Sequence, residues 1–297
     1  MRFAQIVQRD RGGIALQQED GHDAAILWSD DPAYPGDLDW IVQHGPGLST
    51  LPPLFASAER VPVRELDFLP PLRRPGKILC VGLNYRTHVE EAGATPPQHP
   101  EIFLRPTTSL TGHGAPIRLP ATSEQLDYEA ELVAVIGTGG RAITREAALE
   151  HVAAYSIFND GSVRDVQLRT RQWTLGKSFD ETGAFGPWLV DAAALPAGAS
   201  GLRITATLND KVMQDANTSD LIFDVATLVQ MLSEAMTLEP GDIIVTGTPG
   251  GVGLAQTPPV WMREGDRIDV SIERIGTLSN PIAGWPAGEH GRSHGIG

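Results

Sequence analysis

The sequence predicts an α+β fold that is rich in strands, carries short helices and begins with a small β-rich unit. Two observations lead to this prediction. Glycine (32) and proline (23) are both more frequent than average, which favours a chain with many turns and strands. Short apolar runs bounded by Gly, Asp or Pro recur along the chain, whereas helical periodicity is confined to a few segments.

The first part of the chain is predicted to form a small N-terminal β-rich domain over residues 1–70. Its strand candidates are separated by Gly and Asp turns and cover residues 2–8, 13–18 and 24–29. A Pro-rich passage then indicates a linker at 71–76. The larger domain follows over 77–282, and the Gly-rich stretch 283–297 lacks periodicity, so we expect a mobile tail.

The larger domain combines longer strands with a few helices. Residues 145–155 show amphipathic helical spacing with Thr144 as a candidate N-cap, and residues 220–237 show a second such pattern that ends before Pro240 and Gly241. The remaining strand candidates share apolar runs bounded by turns and cover residues 132–136, 155–158, 202–210, 241–247 and 265–276. The last of these alternates apolar and polar residues, as a half-exposed antiparallel strand does.

Composition excludes several classes of protein. A net charge of −14 and a pI near 4.9 argue against binding to nucleic acid or to an anionic membrane. No apolar run approaches the roughly 20 residues that span a bilayer, and the first residues lack the apolar core of a signal peptide. We therefore expect a cytoplasmic protein. The single cysteine, Cys80, lies in an apolar run and is predicted to be a buried structural thiol.

Common catalytic and nucleotide-binding motifs are missing from the sequence. It contains no G-x-S-x-G, no H-E-x-x-H and no C-x-x-C. Two glycine-rich turns, GTGG at 137–140 and TGTPGGVG at 246–253, follow strands but match neither a dinucleotide fingerprint nor a P-loop. On spacing alone both are weak candidates for nucleotide sites, and the first is a tight turn between strands.

Carboxylates carry the first positive signal. Glu129 and Glu131 adjoin an apolar run, and residues two apart on a strand point to the same face. Two like charges side by side are unfavourable unless a cation or a shared proton lies between them. With Asp160, at the end of the next apolar strand, they could hold Mg²⁺ or Mn²⁺, which prefer oxygen ligands. The alternative is an edge strand with two solvated glutamates.

Two further groups could perform chemistry. Asn84 is a candidate cap for a short helix that carries His88 and Glu91 three residues apart, so their side chains meet on one face. A histidine held by a carboxylate is a suitable general base, although such pairs are also frequent on surfaces. Lys177, among Gly and aromatic residues, could bind a carboxylate or be a surface lysine, and Gln167 is close enough in sequence to serve the same pocket.

The order of these signals resembles the fumarylacetoacetate hydrolase family over roughly residues 77–282. Six ordered blocks carry the resemblance: VGLNYRTHVEE (81–91), DYEAELVAVIG (127–137), FNDGSVRDVQ (158–167), WTLGKSFDETGAFGPWLV (173–190), IFDVATLVQMLSEAMTLEPGDIIVTGTPGGVG (222–253) and GDRIDVSIERIGTLSNP (265–281). The resemblance implies a mixed β-sandwich roll, usually dimeric, preceded by the small N-terminal domain that many bacterial members carry.

The resemblance also implies a role for each matching residue. A divalent cation, Mg²⁺ or Mn²⁺, falls to Glu129, Glu131 and Asp160, and the water-activating pair to His88 and Glu91. Lys177 is the implied catalytic lysine. The implied substrate-binding residues are Arg105, Arg164, Gln167 and Thr248. In two places the chain departs from the family pattern, because Arg105 stands where members often have Lys and Val163 where Ala is usual.

The implied activity is metal-dependent hydrolysis of a C–C bond in a 2,4-dioxo acid of the acylpyruvate or fumarylpyruvate type, as met in aromatic catabolism. His88, oriented by Glu91, is expected to activate the attacking water. The alternatives in the same site are decarboxylation of a 2-oxo diacid such as oxaloacetate, or keto–enol tautomerisation. A third alternative, of another class, is a non-catalytic metal- and ligand-binding protein. The expected ligand is a small anionic oxo acid.

Overall fold

The computed structural model describes residues 1–45 and 47–286. Within these ranges the strands are β1 (Arg2–Gln8), β2 (Arg11–Gln17), β3 (Asp23–Trp28), β4 (Glu59–Pro62), β5 (Asp67–Phe68), β6 (Ile78–Gly82), β7 (Glu101–Leu104), β8 (Leu110–Thr111), β9 (Ile117–Arg118), β10 (Leu126–Asp127), β11 (Ala130–Ile136), β12 (Val152–Asp160), β13 (Ser162–Val163), β14 (Gly183–Asp191), β15 (Arg203–Leu208), β16 (Lys211–Asn217), β17 (Ile243–Val245), β18 (Arg267–Ile272) and β19 (Gly276–Ala283).

Helices are short in the described ranges. The α-helices are α1 (Leu38–His44), α2 (Arg86–Glu91), α3 (Arg164–Gln167), α4 (Thr174–Lys177) and α5 (Val225–Ala235). Segments of 3₁₀-helix lie at Leu48–Thr50, Pro52–Phe55, Val63–Glu65, Thr107–Ser109, Ala148–His151, Ala192–Ala194, Ala197–Ala199, Thr218–Asp220 and Gly253–Ala255. The strand-rich α+β fold predicted from the sequence is confirmed.

Two large sheets form the body of the protein. The larger has 12 strands in the order β4-β3-β2-β1-β14-β12-β11-β17-β6-β7, with β5 paired to β1 and β8 to β14. The smaller has the order β16-β15-β18-β19-β9, and β10 pairs with β13 apart from both. Strands β1 to β3 continue the larger sheet, because β1 pairs with β14 at Phe3 and Leu189. The domain boundary near residue 70 stays a prediction.

Strand β11 lies at the centre of the larger sheet and is buried on both faces. It pairs with β12 on one side and with β17 on the other. Leu132 and Ala134 pack in one apolar cluster with the smaller sheet, whereas Val133 and Val135 pack in a second cluster with α1. This alternation follows from the two-residue period of a strand, and burial on both faces accounts for its continuous apolar run.

The helix predicted over 145–155 is wrong. Ala148–His151 is a 3₁₀ turn, and β12 begins at Val152. Ala154 and Ile157 face the core from a strand that pairs with β11 and β14, so long-range pairing overrides the local helical spacing. The second helix begins later than predicted, at Val225, because Asp224 caps it by accepting the Thr227 N–H at 2.8 Å.

The predicted cap at Asn84 is also wrong, since Tyr85 is the N-cap position of α2. The Asn84 side chain instead donates to the carbonyl oxygens of Thr246 at 2.7 Å and Phe223 at 3.0 Å, and it accepts the Phe223 N–H at 2.7 Å. This buried amide ties the start of α2 to the end of β17, two elements distant in sequence.

Three smaller expectations can be compared with the structure. Cys80 is buried in β6, as predicted, and burial raises the pKa of its thiol. Among the described residues, no helix is long and apolar enough to cross a membrane. Of the predicted mobile tail, Ala283 belongs to β19, and residues 287–297 lie outside the described ranges.

Candidate active site

Antiparallel pairing brings three carboxylates together at one end of the larger sheet. Glu129 and Glu131 lie at the start of β11, and Asp160 ends β12, which runs the opposite way. The Asp160 N–H donates to the Glu129 carbonyl oxygen at 2.9 Å, which fixes the register. One oxygen from each of the three side chains lies within 4.8 Å of the others. The arrangement could hold a metal ion.

The edge-strand alternative for the two glutamates is wrong. Strand β11 lies between β12 and β17, and Glu129 and Glu131 are only 5% and 2% exposed. Buried charges carry a large desolvation cost unless they are paired or bind a cation. The partners of each carboxylate therefore decide what the cluster can do.

Lys177, at the end of α4, supplies the first partner. Its Nζ lies 2.7 Å from Glu129 Oε2 and 2.6 Å from Asp160 Oδ2, with the residue 2% exposed, so the surface alternative is wrong. Gly176 allows α4 to approach α3 this closely, because an added Cβ would lie 2.4 Å from the Gln167 Cβ. Arg164, which begins α3, supplies the second partner, with Nη2 2.7 Å from Glu129 Oε1.

These cations set the charge of Glu129. Burial raises the pKa of its carboxyl, but Lys177 and Arg164 outweigh burial and lower it to about 2. Burial also lowers the pKa of Lys177, yet Asp160 and Glu129 outweigh it and raise the value above that of a free lysine. Both groups are therefore charged at neutral pH.

Glu131 is left in a different state. Its Oε2 accepts the Gly247 N–H, and no cationic side chain of the described residues lies within ion-pair distance. Burial, together with the nearby Asp160 and Glu129, raises the pKa of Glu131 well above its usual range. A divalent cation would offset this repulsion, and oxygen donors are what Mg²⁺ and Mn²⁺ prefer. The residues present fit such an ion.

The His88–Glu91 pair stands in the wall of the same cavity. Nδ1 of His88 lies 2.8 Å from Glu91 Oε1, and Glu91 Oε2 accepts the Gly251 N–H at 2.7 Å. The carboxylate is thus held from two sides and in turn orients the imidazole, whose Nε2 has no hydrogen-bond partner among the described residues. The His88 side chain is 14% exposed, so the pair borders a pocket and is not on open surface.

The cavity is about 130 Å³ in volume. Seven of the residues predicted from the sequence line it, namely His88, Glu129, Glu131, Arg164, Gln167, Lys177 and Thr248. Two further predicted residues contact this lining: Asp160 accepts a hydrogen bond from Lys177, and Glu91 is hydrogen-bonded to His88. The apolar part of the wall has no counterpart among the residues predicted from the sequence and includes Phe103, Leu168, Trp173 and Leu254. Trp173 packs directly over Gly82, where a Cβ would lie 2.2 Å from the ring.

The turn at 246–253 forms one side of the site and is fixed by a residue that the sequence did not indicate. Gln214 of β16 donates to Thr248 Oγ1 and to the Pro249 carbonyl oxygen, both at 2.8 Å. Its own Oε1 accepts the Ala130 N–H at 2.9 Å. Gly251 has φ of +102°, and a Cβ there would lie 2.1 Å from the Met213 carbonyl oxygen. No motif identifies Gln214, because only the packing of the two sheets brings it to the turn.

The structure places the Arg105 side chain outside the cavity wall, where the sequence did not locate it. Its guanidinium is buried behind Asp160, with which it forms an ion pair, and it is not among the residues that line the cavity. Direct contact between Arg105 and a substrate stays a prediction from the sequence.

Comparison with known proteins identifies the family to which this chain belongs. The family model for the fumarylacetoacetate (FAA) hydrolase C-terminal domain matches residues 77–283. The chain therefore belongs to the fumarylacetoacetate hydrolase family.

Two proteins similar in sequence to this chain are named oxaloacetate tautomerases. The chain is 44% identical over 222 residues to the oxaloacetate tautomerase YisK of Bacillus subtilis, covering 73% of each chain. It is 35% identical over 288 residues to the human mitochondrial oxaloacetate tautomerase FAHD2A, covering 95% of this chain and 91% of that one.

A solved structure of similar fold has another activity. Maleylpyruvate hydrolase from Sphingobium sp. SYK-6, in complex with manganese(II) and pyruvate, has a TM-score of 0.78 and is 29% identical, covering 96% of this chain and 100% of that chain. Proteins similar to this chain thus include both tautomerases and hydrolases that act on small oxo acids.

Proposed function

We propose that this chain is a metal-dependent keto–enol tautomerase of a small 2-oxo diacid of the oxaloacetate type. The observation that carries the proposal is that a carboxylate-oriented base, His88, shares one small cavity with the buried carboxylates and with Lys177. The two relatives named above are both called oxaloacetate tautomerases, which favours this activity over others possible in the same site.

Tautomerisation requires only proton transfer, because one C–H bond breaks at C3 and one O–H bond forms at the C2 oxygen. His88 Nε2 is free to take the C3 proton, because Nδ1 faces Glu91 and the carboxylate stabilises the imidazolium that results. Lys177, held by Glu129 and Asp160 in the cavity wall, would supply a fixed positive charge to stabilise the enolate oxygen.

The cation completes the electrostatics. Glu129, Glu131 and Asp160 would hold Mg²⁺ or Mn²⁺, whose chemistry is Lewis-acid polarisation of the 2-oxo group.

The substrate carboxylates have matching donors in the wall. Arg164 Nε donates to Asp127 at 2.8 Å and Nη1 to Gln167 at 2.9 Å, which fixes the plane of the guanidinium. Nη2 lies 2.7 Å from Glu129 Oε1. Arg164 and Gln167 both line the cavity, so a guanidinium charge and an amide favour a substrate carboxylate there.

The test is to follow the interconversion of the enol and keto forms of oxaloacetate by ultraviolet absorbance, with and without Mg²⁺ or Mn²⁺. Exchange of the C3 protons with deuterium, followed by NMR, reports the same proton transfer. We expect metal-dependent acceleration of both, without pyruvate formation. Pyruvate appearing at the rate of enol loss would show decarboxylation instead.

Hydrolysis of an acylpyruvate-type C–C bond is the second candidate, and the maleylpyruvate hydrolase of similar fold favours it. In this reaction His88 takes a proton from water, the hydroxide attacks the distal carbonyl, and cleavage leaves the enolate of pyruvate beside Lys177. Incubation of acylpyruvates, fumarylpyruvate and maleylpyruvate in ¹⁸O-water separates the two candidates. Incorporation of ¹⁸O into a product carboxylate would establish hydrolysis.

Assembly and location stay predictions from the sequence. The homodimer that the family resemblance implies can be measured by light scattering of the full chain. The expected cytoplasmic location can be measured by fractionation of cells that produce it.

A further inference from the structure

The Arg105 guanidinium is hydrogen-bonded to other groups of the protein through all three of its nitrogens. Nε donates to Ser109 Oγ at 3.1 Å, Nη2 donates to Thr182 Oγ1 at 2.8 Å, and Nη1 donates to the Gly161 carbonyl oxygen at 3.1 Å. Nη1 also donates to Asp160 Oδ1 in the ion pair. Each nitrogen of the fork therefore has a fixed acceptor.

The guanidinium is buried in the protein interior, and Arg105 is not among the residues that line the cavity. The Arg105 side chain and the Asp160 side chain are both fully buried. The Phe158 ring lies beside the guanidinium, 5.6 Å from centroid to Cζ, and Gly183 lies on another side. A Cβ at Gly183 would be 2.8 Å from Arg105 Nη2, so the absence of a side chain there makes room for the fork.

The bonds made by Arg105 orient the carboxylate of Asp160. Arg105 holds Oδ1, and Oδ2 is turned towards Lys177 Nζ at 2.6 Å, on the side of Glu129 and Glu131. A carboxylate gripped at one oxygen by a rigid, immobile donor presents the other oxygen in a defined direction. Ligands of metal ions are commonly oriented by such outer partners.

We infer that Arg105 is a positioning residue that fixes Asp160 so that Oδ2 faces the cation site, and that it does not contact substrate. The inference rests on the metal-binding part of the proposed function. A lysine, which family members often carry at this place, could not reproduce it, because one ammonium cannot serve Ser109, Thr182 and Asp160 from three separate nitrogens.

The test compares Arg105→Lys with wild type, using the full chain after removal of metal with a chelator. The Kd for Mn²⁺ is measured by isothermal titration calorimetry, and kcat and KM for oxaloacetate are measured at saturating Mn²⁺. We expect the Mn²⁺ Kd to rise tenfold or more, in line with the roughly 10- to 100-fold effects of outer-partner changes, with KM unchanged.

Arg118→Lys is the matched control. Arg118 also donates to a carboxylate, that of Glu181 at 3.0 Å, but it does not contact the carboxylate cluster. This variant should keep the wild-type Mn²⁺ Kd. A loss of metal affinity in both variants would overturn the inference, because it would show a general effect of losing a guanidinium.

Three other results would also overturn it. A rise in KM with a wild-type Mn²⁺ Kd would show that Arg105 binds substrate. A fall in Tm with a wild-type Mn²⁺ Kd would show a purely structural role. Absence of Mn²⁺ binding by wild type would refute the metal site of the proposed function together with this inference. Binding of Mn²⁺ to wild type is therefore measured before any variant is made.

Ser109→Ala covers the case in which Arg105→Lys does not fold. It removes the acceptor of Arg105 Nε and the donor to the Pro106 carbonyl oxygen, and it leaves the ion pair with Asp160 in place. We expect a several-fold rise in the Mn²⁺ Kd in the same direction. An unchanged Kd in this variant would contradict a positioning role.

Discussion

The two sheets of this protein treat charge in opposite ways. In the larger sheet, Glu129, Glu131 and Asp160 are buried at the ends of central strands, and buried cations pair with Glu129 and Asp160. In the smaller sheet, the charges of β15, β16 and β18 lie on the solvent face, where Arg203 pairs with Asp215 at 2.7 Å. The buried positions of β15 and β18 are all apolar, in the alternating pattern expected for β18.

Exposed and buried charges differ in what they cost or contribute to the stability of the fold. Exposed ion pairs contribute little, because water screens both partners and their side chains lose freedom. Buried carboxylates cost desolvation energy that only well-placed partners offset, and Glu131 lacks a cationic partner. A fold retains such a group where a bound cation or substrate makes use of it.

The largest effect is expected from Glu131→Gln, which removes the uncompensated charge without changing the shape. Binding of Mn²⁺ should fall by at least 100-fold in calorimetric titration, because one of three anionic ligands is lost. The metal-free protein should unfold at a higher temperature than wild type, because the buried repulsion disappears. A lower Tm together with normal Mn²⁺ binding would show that Glu131 is neither a metal ligand nor a source of buried repulsion.

The same residue predicts a dependence of stability on pH. The folded-state pKa of Glu131 is raised above its unfolded value, so its contribution is greatest below the unfolded pKa and is lost as pH rises through the folded one. Metal-free wild type should therefore lose stability relative to Glu131→Gln across this window. Urea unfolding of both proteins at a series of pH values measures the difference.

The next effect concerns the base. His88→Ala should lower kcat by roughly 10²- to 10⁴-fold, the range typical of a lost general base, and leave the Mn²⁺ Kd unchanged. Glu91→Gln should cause a smaller loss, because it removes the charge that stabilises the imidazolium while keeping the imidazole. Near-normal turnover by His88→Ala would exclude the role of His88 in both candidate reactions.

Gln214 tests how the smaller sheet supports the turn beside the site. Gln214→Leu leaves the Ala130 N–H without its acceptor, and it removes the donor to Thr248 and Pro249. Loss of such buried partners typically costs about 1–3 kcal/mol of unfolding free energy. We expect a loss of that size in urea unfolding and a higher KM. A stable variant with unchanged KM would show that the two sheets are functionally independent.

The smallest effect belongs to the exposed pair. Hydrogen bonding to Arg203 lowers the pKa of Asp215, but both side chains are largely in water. Arg203→Ala should therefore leave kcat, KM and Tm within experimental error of wild type. A measurable loss of activity would break the comparison, because it would show that charges on the outer face of the smaller sheet also serve the site.

Predictions from local spacing agree with the structure where only neighbouring residues matter. The three-residue interval between His88 and Glu91 places their side chains in contact on α2, and the alternation of β18 matches its burial. The segment 145–155 failed because its apolar residues suit a helix face and a buried strand equally well. Pairing of β12 with β11 and β14 decided between the two.

The features of the candidate site also divide into those predicted from the sequence and those located only by the structure. The sequence by itself determined the spacing of Glu129 and Glu131 and, through the order of its motifs, the family, because a strand sends alternate side chains to one face whatever surrounds it. Only the tertiary structure decided that these glutamates are buried beside Asp160, that Arg105 stands behind that carboxylate, and that Gln214 holds the turn. Burial and long-range pairing set the local dielectric and the partners of each charge, and neither follows from sequence spacing.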